Sequence, residues 1–368
     1  MVFECQDCHK KWHYDVKVCI FCQGNVTEVA VKQSTVRGFT KVEIPSPGHT
    51  RVPYCDLLLE DDQGNFQIRK SFTEYKLGDL IEEAPKELKQ EARKRTVGLI
   101  GAGTMGRGIA QVSAQTGYQV IMIDRHEEIA RKSLSKIDTL LSKTTKEDVK
   151  QEILGRIKIT TNFYDLEHAD LVIEALTEDM ELKKEVMKEL ENECSQNTIF
   201  ATNTSSLSIS ELSQVLEDQS RLVGLHFFNP VPRMKLVEIV KSKYTSDRVV
   251  EFAKEVATEM GKTPVVTGDA PGFIVNRLLL PFLNEAIDKF SDATSSAADI
   301  DKAVTLGLNH PMGPLALADL IGLDVCKAIL DELYEGYKDH KYKPCKTLCI
   351  MVEKGDLGRK TGKGFYKY

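Results

Sequence analysis

The sequence has no apolar run approaching the ~20 residues that a membrane-spanning helix requires, only one tryptophan, and no surplus of basic residues. The missing apolar run makes a soluble protein the expectation. Lys+Arg number 49 against 55 Asp+Glu, a net charge of −6, so a surface built to neutralise nucleic acid is not expected either. The opening MVFECQDCHKKWHYD has no apolar stretch after a basic start and gives no secretory signal. Together these absences point to the cytoplasm. A disulfide framework is also disfavoured, because the nine cysteines are odd in number and unevenly placed in a chain without an export signal. What is present is an ordinary globular balance, 42% hydrophobic and 28% charged, over 368 residues. At roughly 100–200 residues per domain, that length suggests two or three domains.

Four cysteines crowd the N-terminus as two C-x2-C knuckles, Cys5 with Cys8 and Cys19 with Cys22. Four thiolates at such spacing can occupy the corners of a tetrahedron, which Zn²⁺ accepts, iron being the other metal that takes such a set. The segment is too short and polar to bury a core, so metal binding would supply its folding energy. Four protein ligands leave no position for water, which makes the expected zinc structural. The zinc ribbon is placed at 1–33. Short runs rich in β-formers follow (VTEVAVKQ, GFTKVEI, YCDLLLEDD and FQIRKSFTEY), several of them separated by Pro and Gly turns. They predict a small OB-fold-like barrel over 34–85. The charged stretch beginning KLGDLIEEAPKELKQEARKR reads as a linker, assigned to 86–95. A zinc knuckle before such a barrel resembles the acyl-CoA-associated zinc-ribbon/OB-fold (DUF35-type) modules.

At Thr96 the texture changes. TVGLIGAGTMGRGIAQVSAQTGYQVIMID reads strand, glycine turn, helix, strand. Gly101, Gly103 and Gly106, with Thr104 and Met105 between the last two, form G-x-G-x-x-G directly after an apolar strand. The first glycine permits the tight turn, the second lets the backbone approach a pyrophosphate, and the third lets helix and strand pack closely. The helix N-terminus offers N–H groups and a positive dipole to the phosphates. Asp124, ending the second strand, is placed to accept from ribose hydroxyls and repel a 2′-phosphate, which favours NAD over NADP. Arg125 beside it could instead accommodate that phosphate. Residues 126–158 are long enough for two charged amphipathic helices, either a solvated face or a lysine-bearing clamp on a phosphorylated substrate. Further buried strands, LVIEAL and TIFATN, end near Glu174 and at Asn203-Thr204-Ser205-Ser206, where open α/β sheets bind ligands.

His226 ends a short apolar strand in GLHFFNPVPRMKLVEIV, with Glu238 in the next apolar run, and Asn276 opens a long apolar helix in DAPGFIVNRLLLPFLNEAI. GAGTMG, NTSSLSI, HFFNPVPRMKLVEIV, GFIVNR, HPMGPLALADLIGLD and GKGFYKY together resemble the L-3-hydroxyacyl-CoA dehydrogenase family over about 95–368. The resemblance implies an NAD-binding Rossmann domain at 96–270, followed by an all-α substrate and dimerisation domain at 271–368. It also implies His226 as catalytic base, Glu238 as its orienting acid, and Ser205 and Asn276 as the polar groups around the reacting oxygen. Glu178, Lys183, Ser205, Asn229 and Lys360 match its cofactor-contact positions. The implied substrate is a short-chain 3-hydroxyacyl-CoA or 3-ketoacyl-CoA, and the implied assembly a homodimer. The N-terminal module departs from the family's usual start; it is expected to handle acyl-CoA or dock a pathway enzyme such as a thiolase. Two other readings stand beside this one: a dehydrogenase of a free hydroxy acid, and a zinc/OB scaffold with an inactive dehydrogenase attached.

Overall fold

A computed structural model describes residues 2–7, 11–12, 22, 26–29, 33–42, 54–61, 64, 66–71, 75–82 and 95–368. Two compact units divide the chain, Met1–Arg93 and Lys94–Tyr368. In the first, β1 (Val2–Cys5), β2 (Lys11–Trp12) and β3 (Val26–Val29) form an antiparallel sheet with β1 in the middle. A second antiparallel sheet, in the order β6-β5-β4-β7, joins β4 (Gln33–Val42), β5 (Tyr54–Asp61), β6 (Phe66–Ser71) and β7 (Leu80–Glu82). Period-2 alternation sets its faces: Cys55, Leu57 and Leu59 of β5 are buried in a small core with Val36, while Leu58 between them is exposed.

One expectation changes here. Leu80–Glu82 lies where the sequence turns charged, yet it pairs with Gln33–Thr35 as a strand. Among the described residues the second sheet runs β6-β5-β4-β7, a small antiparallel β module in keeping with the strand rhythm. Of the stretch expected as linker, all but Arg95 lies outside the described residues.

The second unit runs β8 (Thr96–Ile100), α1 (Thr104–Thr116), β9 (Gln119–Ile123), α2 (Glu127–Leu141), α3 (Glu147–Gly155), β10 (Ile157–Thr160), β11 (Leu171–Glu174), α4 (Met180–Glu193), β12 (Ile199–Thr202), α5 (Ile209–Leu212), β13 (Leu222–Phe227), β14 (Leu236–Lys241), α6 (Asp247–Glu259) and β15 (Thr263–Gly268). These strands form one sheet in the order β10-β9-β8-β11-β12-β13-β14-β15, parallel except where β14 runs against β13. Helices cover both faces, which is why every residue of β11, β12 and β13 is buried. Leu171 and Ile173 share one core with Ile109 of α1, Ile137 of α2 and Val256 of α6. Val172 points the other way, into a core with Val186, Met187 and Leu190 of α4. The chain reverses its direction of sheet-building between β8 and β11, the switch point at which open α/β sheets take ligands.

Five further helices complete the unit: α7 (Val275–Ser291), α8 (Ala297–Gly307), α9 (Pro314–Ile321), α10 (Leu323–Tyr337) and α11 (Lys346–Glu353). Their apolar faces meet in a third core around Leu283, Leu315, Leu330 and Leu348. The expected architecture, a Rossmann-type sheet followed by a helical domain, is the one found. No helix among the described residues is long and apolar enough to cross a membrane.

Candidate active site

The glycine turn joins β8 to α1 at the switch point. Gly101 sits at φ +96°, and a Cβ there would lie 2.7 Å from the Ala175 carbonyl oxygen. Gly106 is tighter still, since its Cβ would stand 1.9 Å from the Gly101 carbonyl. Gly103 differs from both: it is exposed, and a Cβ on it would meet nothing within 4 Å. That open space lies at the start of α1, whose first turn no side chain caps. Uncapped N–H groups beside a bare glycine fit a pyrophosphate. Thr104 is exposed there and Met105 half-buried against the core. Asp124 ends β9 and accepts from the Ala102 N–H at 2.9 Å and the His126 N–H at 3.3 Å, so its carboxylate is held against the turn.

His226 and Glu238 are direct partners across the antiparallel β13–β14 ladder. Both are buried, at 5% and 0% exposure, and His226 Nδ1 lies 2.7 Å from Glu238 Oε2. The other carboxylate oxygen, Oε1, accepts from the Ile274 and Val275 N–H groups at 3.0 and 2.9 Å. Those groups open α7, which has no side-chain cap of its own. One carboxylate therefore orients the imidazole and caps the helix carrying Asn276. It fixes the tautomer with the proton on Nδ1 and leaves Nε2 to exchange one. Phe228 and Phe273 flank the ring at centroid distances of 4.5 and 5.7 Å.

Across the cleft, the loop after β12 turns back towards α7. Asn276 Nδ2 donates to the Ser205 carbonyl at 3.3 Å. Ser205 in turn donates its N–H and its hydroxyl to Glu178 Oε1 at 2.6 and 2.8 Å, while Thr204 donates to Oε2. The Ser205 hydroxyl proton is therefore committed to Glu178.

Lys183 is only 1% exposed, and its ammonium contacts Glu174 Oε1 and Oε2 at 2.7 and 2.9 Å and the Leu176 carbonyl at 3.5 Å. Its distance to Glu178 is 3.7 Å. This arrangement buries Lys183 in a pair with Glu174, with the Glu178 carboxylate beside it. Asn229 is exposed in the β13–β14 connection. Lys360 pairs with Asp324 at the start of α10.

Asn203, at the head of the polar cluster after TIFAT, accepts at Oδ1 from the Phe227 N–H at 2.9 Å and so fixes the backbone beside His226, a contact its position did not reveal. In the first unit Cys5 Sγ lies 3.4 Å from Cys22 Sγ, far beyond a disulfide bond, with the Asp7 carboxylate in the same cluster. Two thiol sulfurs at that separation fit a shared metal ion. Cys8 and Cys19 lie outside the described residues.

Comparison with known proteins agrees with this geometry. Residues 96–270 match the family model of the 3-hydroxyacyl-CoA dehydrogenase NAD binding domain, and 272–368 that of the 3-hydroxyacyl-CoA dehydrogenase C-terminal domain. The chain is 46% identical over 275 residues to a 3-hydroxybutyryl-CoA dehydrogenase of Clostridioides difficile, covering 73% of this chain and 98% of that protein. It is 43% identical to the human mitochondrial hydroxyacyl-coenzyme A dehydrogenase, over 74% of this chain and 90% of that one. The crystal structure of an (S)-3-hydroxybutyryl-CoA dehydrogenase from Ralstonia eutropha superposes with a TM-score of 0.72 at 43% identity, covering 75% of this chain and 99% of that one. From the glycine turn to its C-terminal helices, the chain belongs to the 3-hydroxyacyl-CoA dehydrogenase family of NAD-dependent oxidoreductases.

Proposed function

We propose that this protein interconverts (S)-3-hydroxybutyryl-CoA and acetoacetyl-CoA, with His226 as the general acid and base. The observation that carries the reading is the buried 2.7 Å contact between His226 Nδ1 and Glu238. In oxidation, Nε2 takes the hydroxyl proton, and the Glu238 carboxylate stabilises the imidazolium that forms. In reduction, the same nitrogen returns the proton to the carbonyl oxygen. Asn276, and Ser205 once it has left Glu178, hydrogen-bond that oxygen and stabilise its developing charge. A bound NAD supplies the hydride acceptor, and NADH the donor. Gly101, Gly103, Thr104, Met105 and Gly106 hold its pyrophosphate, and Asp124 its adenosine ribose; Glu178, Asn229 and Lys360 contribute further contacts. Similarity to 3-hydroxybutyryl-CoA dehydrogenases supports the four-carbon CoA ester over a free hydroxy acid. The helical domain is the surface through which two copies pair.

In the N-terminal module, Cys5, Cys8, Cys19 and Cys22 hold one structural zinc, a reading supported by the approach of Cys5 to Cys22. The module binds acyl-CoA or docks an enzyme of the same pathway, such as a thiolase, raising the effective concentration of the second site.

The test is steady-state reduction of acetoacetyl-CoA and of free acetoacetate, each with NADH and NADPH. Turnover is expected with the CoA ester and NADH. Turnover confined to the free acid would overturn the substrate, and equal kcat/KM for both cofactors would overturn the role of Asp124.

A further inference from the structure

The geometry assigns to Lys262 the role of a positioning residue for the dinucleotide, an inference that rests on the dehydrogenase reading. Lys262 lies between α6 and β15, is 8% exposed, and donates from Nζ to the carbonyls of Val231 and Met234 at 2.5 and 2.9 Å. Both acceptors belong to the β13–β14 connection, which starts just past His226 and carries Asn229. That connection is a tight turn, with the N–H groups of Arg233 and Met234 both donating to the Pro230 carbonyl. The neighbouring Thr263 N–H donates to the Lys235 carbonyl at 2.7 Å, so the base of the turn is tied to the same strand.

The turn bears on α1. Val231 is 2% exposed, and a Cβ added to Gly108 would stand 2.9 Å from the Val231 Cβ. Gly108 lies one helical turn beyond the residues that open α1 at the glycine turn. Lys262 thus fixes the turn that presses on the phosphate-facing helix and presents Asn229. His226 and Glu238 do not depend on it in the same way: the β13–β14 ladder sets their opposition, and α7 holds the carboxylate. Burial, with a smaller contribution from Lys235, lowers the proton affinity of this amine, so placing it here costs desolvation. An apolar side chain of similar length would fill the space without that cost, but would leave two inward-facing carbonyls without a donor.

The experiment compares Lys262→Met and Lys262→Arg with the unmodified protein, reading the NADH dissociation constant by fluorescence and the steady-state constants for NADH and acetoacetyl-CoA. Lys262→Met is expected to weaken NADH about tenfold, the typical worth of hydrogen bonds to a charged group. Its kcat and its KM for acetoacetyl-CoA should stay within about threefold on the same scale. Lys262→Arg, which keeps charge and donors, should recover most of the NADH affinity. An unchanged NADH constant overturns the assignment. So does a fall in apparent kcat in proportion to lost folded protein with the NADH constant and both KM values unmoved, which marks a merely structural role. If Lys262→Met does not fold, Lys262→Gln, with one amide donor, reads the same constants. The titration needs no turnover: a protein that binds NADH but reduces no acyl-CoA would remove the dehydrogenase reading and leave the Lys262 result standing, whereas one that binds no NADH removes both.

Discussion

The glycine turn after β8 and the His226–Glu238 pair on β13 and β14 share one sheet and differ in what they are made of. At the turn, the groups left open are backbone N–H groups, and side chains matter chiefly by being absent. Gly106 has no room for a methyl group, while Gly103 has room that a ligand would use. At the pair, backbone ladder hydrogen bonds only set the register, and two buried side chains are the groups to which the proposed chemistry falls. The cofactor end should therefore be sensitive to added atoms, and the chemical end to removed ones.

The largest effect that comparison predicts is at His226. His226→Ala should lower kcat by about 10²–10⁴-fold, the usual contribution of a positioned acid or base, in a steady-state assay with acetoacetyl-CoA and NADH. Glu238→Gln should come next, with kcat down roughly 10–100-fold, as when an orienting partner is lost. Its remaining amide oxygen can still accept from Ile274 and Val275, so far-UV circular dichroism should match the unmodified protein. Gly103→Ala should fold, because its Cβ meets nothing, yet bind NADH about tenfold more weakly, a loss of ~1.4 kcal/mol. Near-normal NADH affinity in that variant would erase the contrast between the two ends. Asp124→Ala should narrow the preference for NADH over NADPH in kcat/KM by a few-fold. The smallest effect on chemistry is expected from the other unit. Cys22→Ser should lose zinc, measured by metal analysis of the purified protein, with kcat unchanged; a kcat that fell with the metal would tie the module to catalysis.

How much of this could be read beforehand follows from the same contrast. The glycine turn is local: strand, G-x-G-x-x-G, helix and Asp124 fall within one βαβ stretch, so spacing alone announces it. His226 and Glu238 are close in sequence, but spacing does not say that β14 runs back against β13 in an otherwise parallel neighbourhood. Their strand context marked them as candidates, and family resemblance alone gave them roles. The double duty of Glu238, capping α7 while holding the imidazole, depends on a contact between two domains that no local pattern carries. Lys183, matched by resemblance to a cofactor-contact position, lies in a buried pair with Glu174, because its i, i+4 surroundings do not reveal the strand beneath it. β7 was hidden for a simpler reason: Leu80–Glu82 is too short, and too close to charged residues, to show alternation. Lys262 gave no sign in the sequence at all, since its partners are main-chain carbonyls.

The central claim is that cofactor binding and acid–base chemistry are built separately. Titrating NADH into His226→Ala, a variant whose turnover is expected to be lost, tests it most directly. The account predicts a dissociation constant within about threefold of the unmodified protein, since no backbone group of the glycine turn is disturbed. Loss of NADH binding together with turnover would contradict it.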